Sequence, residues 1–415
     1  MSNTFFSHVL DDPYYIGNGE YLSVITTGKV RVEGEAVRDF NKDAAAKAGL
    51  LRVNTRTKET TFIDFNKHSE VGDRYRCVEV IDGVAYVMRT QKKHVDSVVR
   101  IAAVDLATNE VTMIEEKAVS IHGTETPKTF CGHFNFGRPI AVGKKIIYPP
   151  LNSGVVIVFD TETRSFVAHD VPDDTASIWC TYVPELNEVV FFPYGNRTTK
   201  LLVLNLTTNE HKFIEAPVQS TFYNAFAHNG KAVGVPLTMG GAVDKMHFWV
   251  YDGKTVEAFE YSPAATETGT GMMGFKYGVE ADNVYYTHTI WNKGNELVKF
   301  DLINKTVESI KTDMPLGCKP YVADSGVFLF PGIQGPSMTD APASVYKVEG
   351  DKLVEEFKLP TNNLTYGPIN TTDKTILFVP YRFDLNAENK LSSVLTIVDL
   401  ESKSAETVNI ELELE

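Results

Sequence analysis

The sequence predicts an all-β chain folded as one ring of eight four-stranded modules. Two observations carry that expectation: a hairpin-turn motif recurs along the whole length, and a second hairpin precedes each copy. The alternative count is seven modules plus an N-terminal extension, because the first module is the least regular.

The recurring unit is an apolar strand, an Asp or Asn with polar neighbours, and a second strand. It reads LLRVNTRTKETTFIDF around Asn54, RIAAVDLATNEVTMI around Asp105, VVIVFDTETRSFVAH around Asp160 and LLVLNLTTNEHKFIE around Asn205. It continues around Asp252, Asp301, Gly350 and Asp399. Seven intervals separate Asn54 from Asp399, so the period is about 49 residues. Asp, Asn, Thr and Gly suit such turns because they bond to nearby backbone or tolerate positive φ. The preceding hairpins turn at Asn18-Gly19, Asp82-Gly83, Val142-Gly143, Glu185-Leu186-Asn187, Asn229-Gly230, Asp282-Asn283, Ser325-Gly326 and Asp373-Lys374. Asn-Gly and Asp-Gly are strong hairpin signals, since a type I′ turn needs positive φ at both central residues.

Each module is therefore two consecutive hairpins. Residues 1–12 read as an N-terminal extension and 13–415 as a single domain without a linker. One helix is expected, over residues 39–51 (DFNKDAAAKAGLL), with Asn41 as its cap and an Ala-rich first turn. The alternation Ile410-Glu-Leu-Glu-Leu-Glu415 reads as an outer strand with one wet face. Prolines 149, 193, 236, 331 and 380 are expected to end second strands, because proline cannot donate to the ladder.

A four-stranded module of 40–50 residues repeated without linkers resembles a blade of the β-propeller superfamily, and the resemblance covers essentially the whole chain. The Gly-His and Trp-Asp marks of WD repeats and the paired-glycine strand of kelch repeats are missing. Three tryptophans cannot build the docking pattern of quinoprotein propellers. What the resemblance implies is a fold and a binding geometry, with no reaction attached.

Composition narrows the function classes. Asp and Glu number 54 against 40 Lys and Arg, a formal net charge of −14, which opposes general affinity for nucleic acid or anionic membrane. Cys77, Cys131, Cys180 and Cys318 form no C-x-x-C pair, so reduced buried thiols are expected rather than a disulfide framework or zinc site. No secretory signal and no apolar run of membrane-spanning length is read, so a cytoplasmic location, or a particle assembled there, is expected. No cofactor or metal is expected. H-E-x-x-H, G-x-S-x-G, P-loop and G-x-G-x-x-G motifs are all missing.

Turns within hairpins are short and share one end of the ring, whereas connections between hairpins and between blades are long and share the other. Function concentrates on loops held by a rigid scaffold. Inner-strand starts and long loops at that end carry Arg138, Trp179, Arg197, Tyr223, Lys276, Lys319, Tyr366 and Arg382, a cationic, aromatic rim on an acidic protein. The expected role is non-catalytic recognition or assembly, binding a protein partner or an anionic or carbohydrate ligand through this face. The alternatives are a propeller hydrolase or lyase acting on a carbohydrate or small anion, with His133 and His288 as candidate catalytic residues, and a structural component of a larger particle or virion.

Overall fold

A computed structural model describes residues 4–7, 13–29, 47–65, 67, 74–91, 98–123, 128–129, 137–151, 153–172, 174–195, 198–238, 245–261, 273–289, 296–311, 318–331, 342–361, 364, 374–380, 382–385, 388 and 390–413. The chain is an eight-bladed β-propeller. Blade one contains Tyr14–Gly17, Glu20–Lys29, Lys47–Asn54 and Thr60–Asp64, in that order from axis to rim. Blades two to seven repeat the plan, with inner strands Arg74–Ile81, Ile140–Val142, Cys180–Val183, Phe222–His228, Met273–Ala281 and Lys319–Ala323. Blade eight shows Thr375–Phe378, Lys390–Asp399 and Ser404–Glu413 among the described residues.

The strands are apolar on both faces because each blade is covered on both sides. In blade four, Val189, Phe191, Leu202 and Leu204 pack with Ile147, Val156 and Val158 of blade three. Their sequence neighbours Val190, Phe192, Leu201 and Val203 point the other way, against Phe222, Trp249 and Tyr251 of blade five. A period of two thus places an unbroken hydrophobic run in two different cores. One such cluster lies at every junction, including the closing one, where Tyr21, Ile25, Leu51 and Val53 of blade one meet Leu377, Leu391, Leu395, Ile397, Ile410 and Leu412 of blade eight. At that closure the Tyr21 hydroxyl also donates to the Thr375 carbonyl. The backbone strand Thr4–Ser7 pairs with both Glu20–Lys29 of blade one and Arg382–Leu385 of blade eight.

The outer turns are built as their residues predict. A side-chain oxygen of Asn54, Asp105, Asp160, Asn205, Asp252, Asp301 and Asp399 accepts from the backbone N–H groups two and three residues on, at 2.8–3.0 Å. Blade seven uses Gly350, at φ 59°, in place of that side chain. The fifth turn residue in six blades is Lys58, Asn109, Arg164, Asn209, Lys305 or Lys403, each at positive φ.

Two expectations are corrected. Lys47–Leu51 of the expected helix are strand, paired with Glu20–Lys29 and, from Gly49 on, also with Thr60–Asp64, while residues 39–46 lie outside the described residues. Burial of Ala48, Leu50 and Leu51 in a two-sided sheet overrides the helix propensity of the Ala-rich stretch. Pro236 does not end its strand: Lys231–Thr238 runs on, and Leu237 and Thr238 pair with Gly274 and Met273 of blade six. The terminal alternation behaves as expected, with Ile410 and Leu412 buried and Glu411 and Glu413 exposed. Cys77, Cys180 and Cys318 are buried and form no disulfide among the described residues, and Cys131 lies outside them. No described helix is long and apolar enough to cross a membrane.

The turn bonds hold the Asp160 and Asp252 carboxyls below the usual carboxylate range. Their stabilisation is present above the unfolded-state pKa and is lost as pH falls through the lowered folded value. Replacing Asp252 by Ala should destabilise the chain by about 1 kcal/mol in urea unfolding, whereas Asn, which keeps the acceptor, should stay within about 0.5 kcal/mol of the parent. Equal losses for the two variants would remove the turn bond as the cause.

Candidate functional site

The inner strands meet the axis, and blades one to four bring an unusual set of side chains together there. The lead-in to blade three lies directly on the lead-in to blade four: Arg138 N–H donates to the Ile178 carbonyl at 2.8 Å, and Arg138 and Trp179 form a parallel bridge. Gly137 permits this approach, since a Cβ there would stand 2.5 Å from the Ser177 and Ile178 carbonyl oxygens. The bridge sets the Arg138 guanidinium carbon 4.9 Å from the centre of the Trp179 ring, a cation–π contact. Below it, the Cys180 thiol lies 3.7 Å from the Arg138 carbonyl, and burial pushes that thiol well above its ordinary pKa.

Glu79 of blade two is buried beside this pair, at 7% exposure. Burial pushes its carboxyl up to about 7, against the opposing pull of the Arg138 charge, the Ala141 backbone N–H and the Tyr14 hydroxyl. Tyr14 of blade one is pushed up to about 12, first by burial and then by the Glu79 charge. The strand that carries Glu79 is irregular: its register with Val84–Gln91 shifts between Arg76 and Val78, and Cys77 between them stands at φ 53°. Such a bulge re-aims the side chains that follow, at a cost in backbone strain.

Of the residues expected at this rim, Arg138 and Trp179 are the two that the structure joins. Tyr223 is half-buried on the inner strand of blade five, its ring 6.1 Å from that of Tyr194. Lys319 opens the inner strand of blade seven, is 3% exposed, and holds its ammonium 5.1 Å from the Tyr321 ring centre. Lys276 lies in Met273–Ala281, His288 lies opposite Leu297 in Val284–Thr289, and Arg382 pairs through its backbone with Phe6. His133, Arg197 and Tyr366 fall outside the described residues.

Glu79 and Tyr14 are the residues that sequence reasoning missed. The available signal was a carboxylate set between Val78 and Val80 on an innermost strand, where both faces are covered and a charge has little access to water.

No protein-family model matches the chain, and no curated protein sequence matches it. Among solved structures, the chain is similar to a dihydro-heme d1 dehydrogenase, NirN, in complex with DHE, at a TM-score of 0.53 and 10% identity, covering 99% of this chain and 74% of that one. It is also similar to hydrazine synthase of Kuenenia stuttgartiensis, at 0.47 and 11% identity over 82% and 96% of the two chains. A third is apo AztD of Citrobacter koseri, at 0.46 and 9% identity over 100% and 96%. At these identities the likeness is one of fold.

Two expectations follow from the geometry. Because the folded pKa of Glu79 is raised, its contribution to stability is full below the ordinary 4.5 and declines as pH rises to about 7. Glu79→Gln should match the parent near pH 4 and exceed it at pH 8 by a margin on the order of 3 kcal/mol at most. Parallel stability profiles for the two proteins would rule this out. Gly137→Ala should destabilise by more than about 2 kcal/mol, because backbone on both sides of the new methyl must separate. It should also change Trp179 fluorescence; an unchanged melting temperature would show that the lead-ins are free to move apart.

Proposed function

We propose that this propeller is a non-catalytic recognition module, binding an anionic ligand at the axis end where the inner strands of blades three, four, five and seven begin. The observation that carries the reading is the Arg138–Trp179 pair, a guanidinium held over an indole by the backbone bridge of two adjacent blades. A guanidinium offers paired donors to carboxylate, sulfate or phosphate, and the aromatic surface of Trp179 and Tyr223 offers stacking for an apolar or sugar face. An acidic carbohydrate combines both chemistries. Glu79 sets the pH dependence of such a site: ionised, it competes with the ligand for Arg138; neutral, it leaves the guanidinium charge to the ligand.

A second reading, a propeller enzyme, is favoured by one observation, the carboxyl of Glu79 raised to about 7 beside Arg138 and Tyr14. A general acid or base works best with a pKa near the operating pH.

The test is titration of the chain with an oligogalacturonate and, separately, an oligoglutamate peptide, followed by Trp fluorescence and calorimetry. Affinity for the anion should rise as pH falls through about 7. Arg138→Gln with Lys319→Gln should weaken binding at least tenfold, about 1.4 kcal/mol, and Glu79→Gln should abolish the pH dependence. Saturable binding unchanged in the Arg138/Lys319 variant would remove the axis end as the binding centre. Turnover of the oligosaccharide, lost in Glu79→Gln, would favour the enzyme.

A further inference from the structure

The bulge at Cys77 decides which way Arg76 faces. In the inner strand of blade two, Glu79 lies opposite Tyr86 and Arg76 opposite Met88, with Cys77 the extra residue between Arg76 and Val78. Tyr86 and Met88 are two apart on their strand, so they share one face of the sheet, and both pack in the cluster between blades two and three. Residues directly opposite one another in an antiparallel pair share a face as well. Arg76 and Glu79, three apart in sequence, are thereby brought to the same side, the side toward Arg138. Without the extra residue Arg76 would face blade one instead, as Tyr75 does. Along the ladder Arg76 stands two positions, about 7 Å, from Glu79, nearer the long-loop end.

Blade four meets Arg76 with an aromatic corner. Tyr194 follows the second strand of that blade, and its N–H donates to the Ala176 carbonyl at 2.8 Å. Next to it, Gly195 N–H donates to Thr221 Oγ1 at 3.0 Å, and Phe222 N–H donates to the Pro193 carbonyl at 2.8 Å. Tyr194 is thus tied to the lead-ins of both blade four, which carries Trp179, and blade five, which carries Tyr223. The Tyr194 and Tyr223 rings stand 6.1 Å apart at an interplanar angle of 77°, so they form a corner rather than a flat wall. Burial raises the Tyr194 hydroxyl above its ordinary pKa, while the Arg76 charge pulls it down, which sets that guanidinium within electrostatic reach of the corner. Arg76, Tyr194 and Tyr223 are all half-buried, as are Arg138 and Trp179.

We propose that Arg76, Tyr194 and Tyr223 form a second subsite beside the Arg138–Trp179 pair, and that the ligand is a linear acidic oligosaccharide carrying charge on successive units. This subsite rests on the recognition reading above, whose ligand it narrows from an anion to a chain. Each half of the arrangement joins a guanidinium to aromatic surface, Arg138 to Trp179 and Arg76 to the two tyrosines. A guanidinium binds carboxylate or sulfate through paired donors, and a half-exposed ring covers the apolar face of a sugar. A single small anion satisfies one half. A chain reaches both, and it makes its second contact at the effective concentration that the first one sets. A uronate carries its carboxylate on the sugar ring itself, whereas an acidic peptide holds its carboxylates on flexible stems that lose rotamer freedom at each anchor.

The test is calorimetric titration of the full chain with galacturonic acid, trigalacturonic acid and triglutamate at pH 6, where the Glu79 carboxyl is mostly neutral. The sugar trimer should bind at least about tenfold more tightly than either the monomer or triglutamate. Arg76→Gln and Tyr194→Leu should each lose about tenfold for the trimer and stay within about twofold of the parent for the monomer. Arg76→Lys, which keeps the charge without the paired donors, should recover part of the loss. Monomer binding retained by a variant also shows that its ring is folded. Equal affinity of the parent for monomer and trimer, with binding lost in Arg138→Gln, overturns the second subsite and leaves the Arg138 site standing. Trimer binding unchanged in Arg76→Gln overturns it as well, and so does tighter binding of triglutamate. Saturable binding of neither sugar overturns both the subsite and the reading it rests on.

Discussion

Everything in this molecule depends on a packing constraint: each four-stranded sheet is apolar on both faces and cannot bury either one alone. Neighbouring blades supply the cover, and each junction gathers its own hydrophobic cluster. The constraint is satisfied for every blade only if the row closes on itself. At closure the strand Thr4–Ser7 pairs with Glu20–Lys29 of the first blade and with Arg382–Leu385 of the last. The first blade takes its four strands from the start of the chain, and the last blade takes its outer strand from the end. Among the described residues, twelve buried side chains fill the closing junction, while the junction of blades six and seven holds Leu297, Cys318 and Leu329. At about 1.5–3 kcal/mol for each fully buried large side chain, the closing junction is among the best held in the ring.

The outer turns add a second, polar layer of coupling. Their fifth residue is forced to positive φ by the turn, and that conformation points its side chain back toward the preceding blade. Lys58 pairs with Glu406 at 2.6 Å, Lys403 with Glu356 at 2.5 Å, and Lys305 with Glu257. Asn109 accepts from Arg52 at 3.3 Å, and Asn209 meets His122 at 3.1 Å. These contacts are largely exposed, so each contributes little by itself. Their importance is positional: a local turn preference, repeated from blade to blade, tells each sheet where its neighbour's edge lies.

The fold was legible because both periodicities that specify it are local. Turn residues announce hairpins within a few positions, and alternation of Val, Ile, Leu and Phe announces strands covered on both faces. The expected helix failed for the opposite reason: Ala48 and Leu50 belong to a sheet whose partners, Glu20–Lys29 and Thr60–Asp64, lie outside any helical window. The candidate site was only partly legible. Arg138 and Trp179 stood out as a cation and an aromatic at corresponding places in successive modules, and the repeat alone brings those places side by side. That Gly137 lets two backbones touch, or that Cys77 bulges the strand leading to Glu79, depends on contacts between modules, which periodicity does not encode.

Those departures from the repeat share one sector of the axis. A chain selected for stability alone would carry an apolar residue at position 79, between Val78 and Val80, and would keep Cys77 out of the left-handed region. Instead the sector holds a carboxyl raised to about 7, a strained cysteine at φ 53° and a glycine whose substitution would force adjacent blades apart. Burying the carboxyl and straining the cysteine both cost stability, and a simple substitution would relieve either. Local rules broken together mark a place where a protein gives up stability for something else. The inner strands are also where segments distant in sequence approach one axis, so small changes of residue there alter a binding surface without disturbing the junctions behind it. The closed ring holds those segments in place, and the chemistry of blades two to four is what that fixed geometry makes possible.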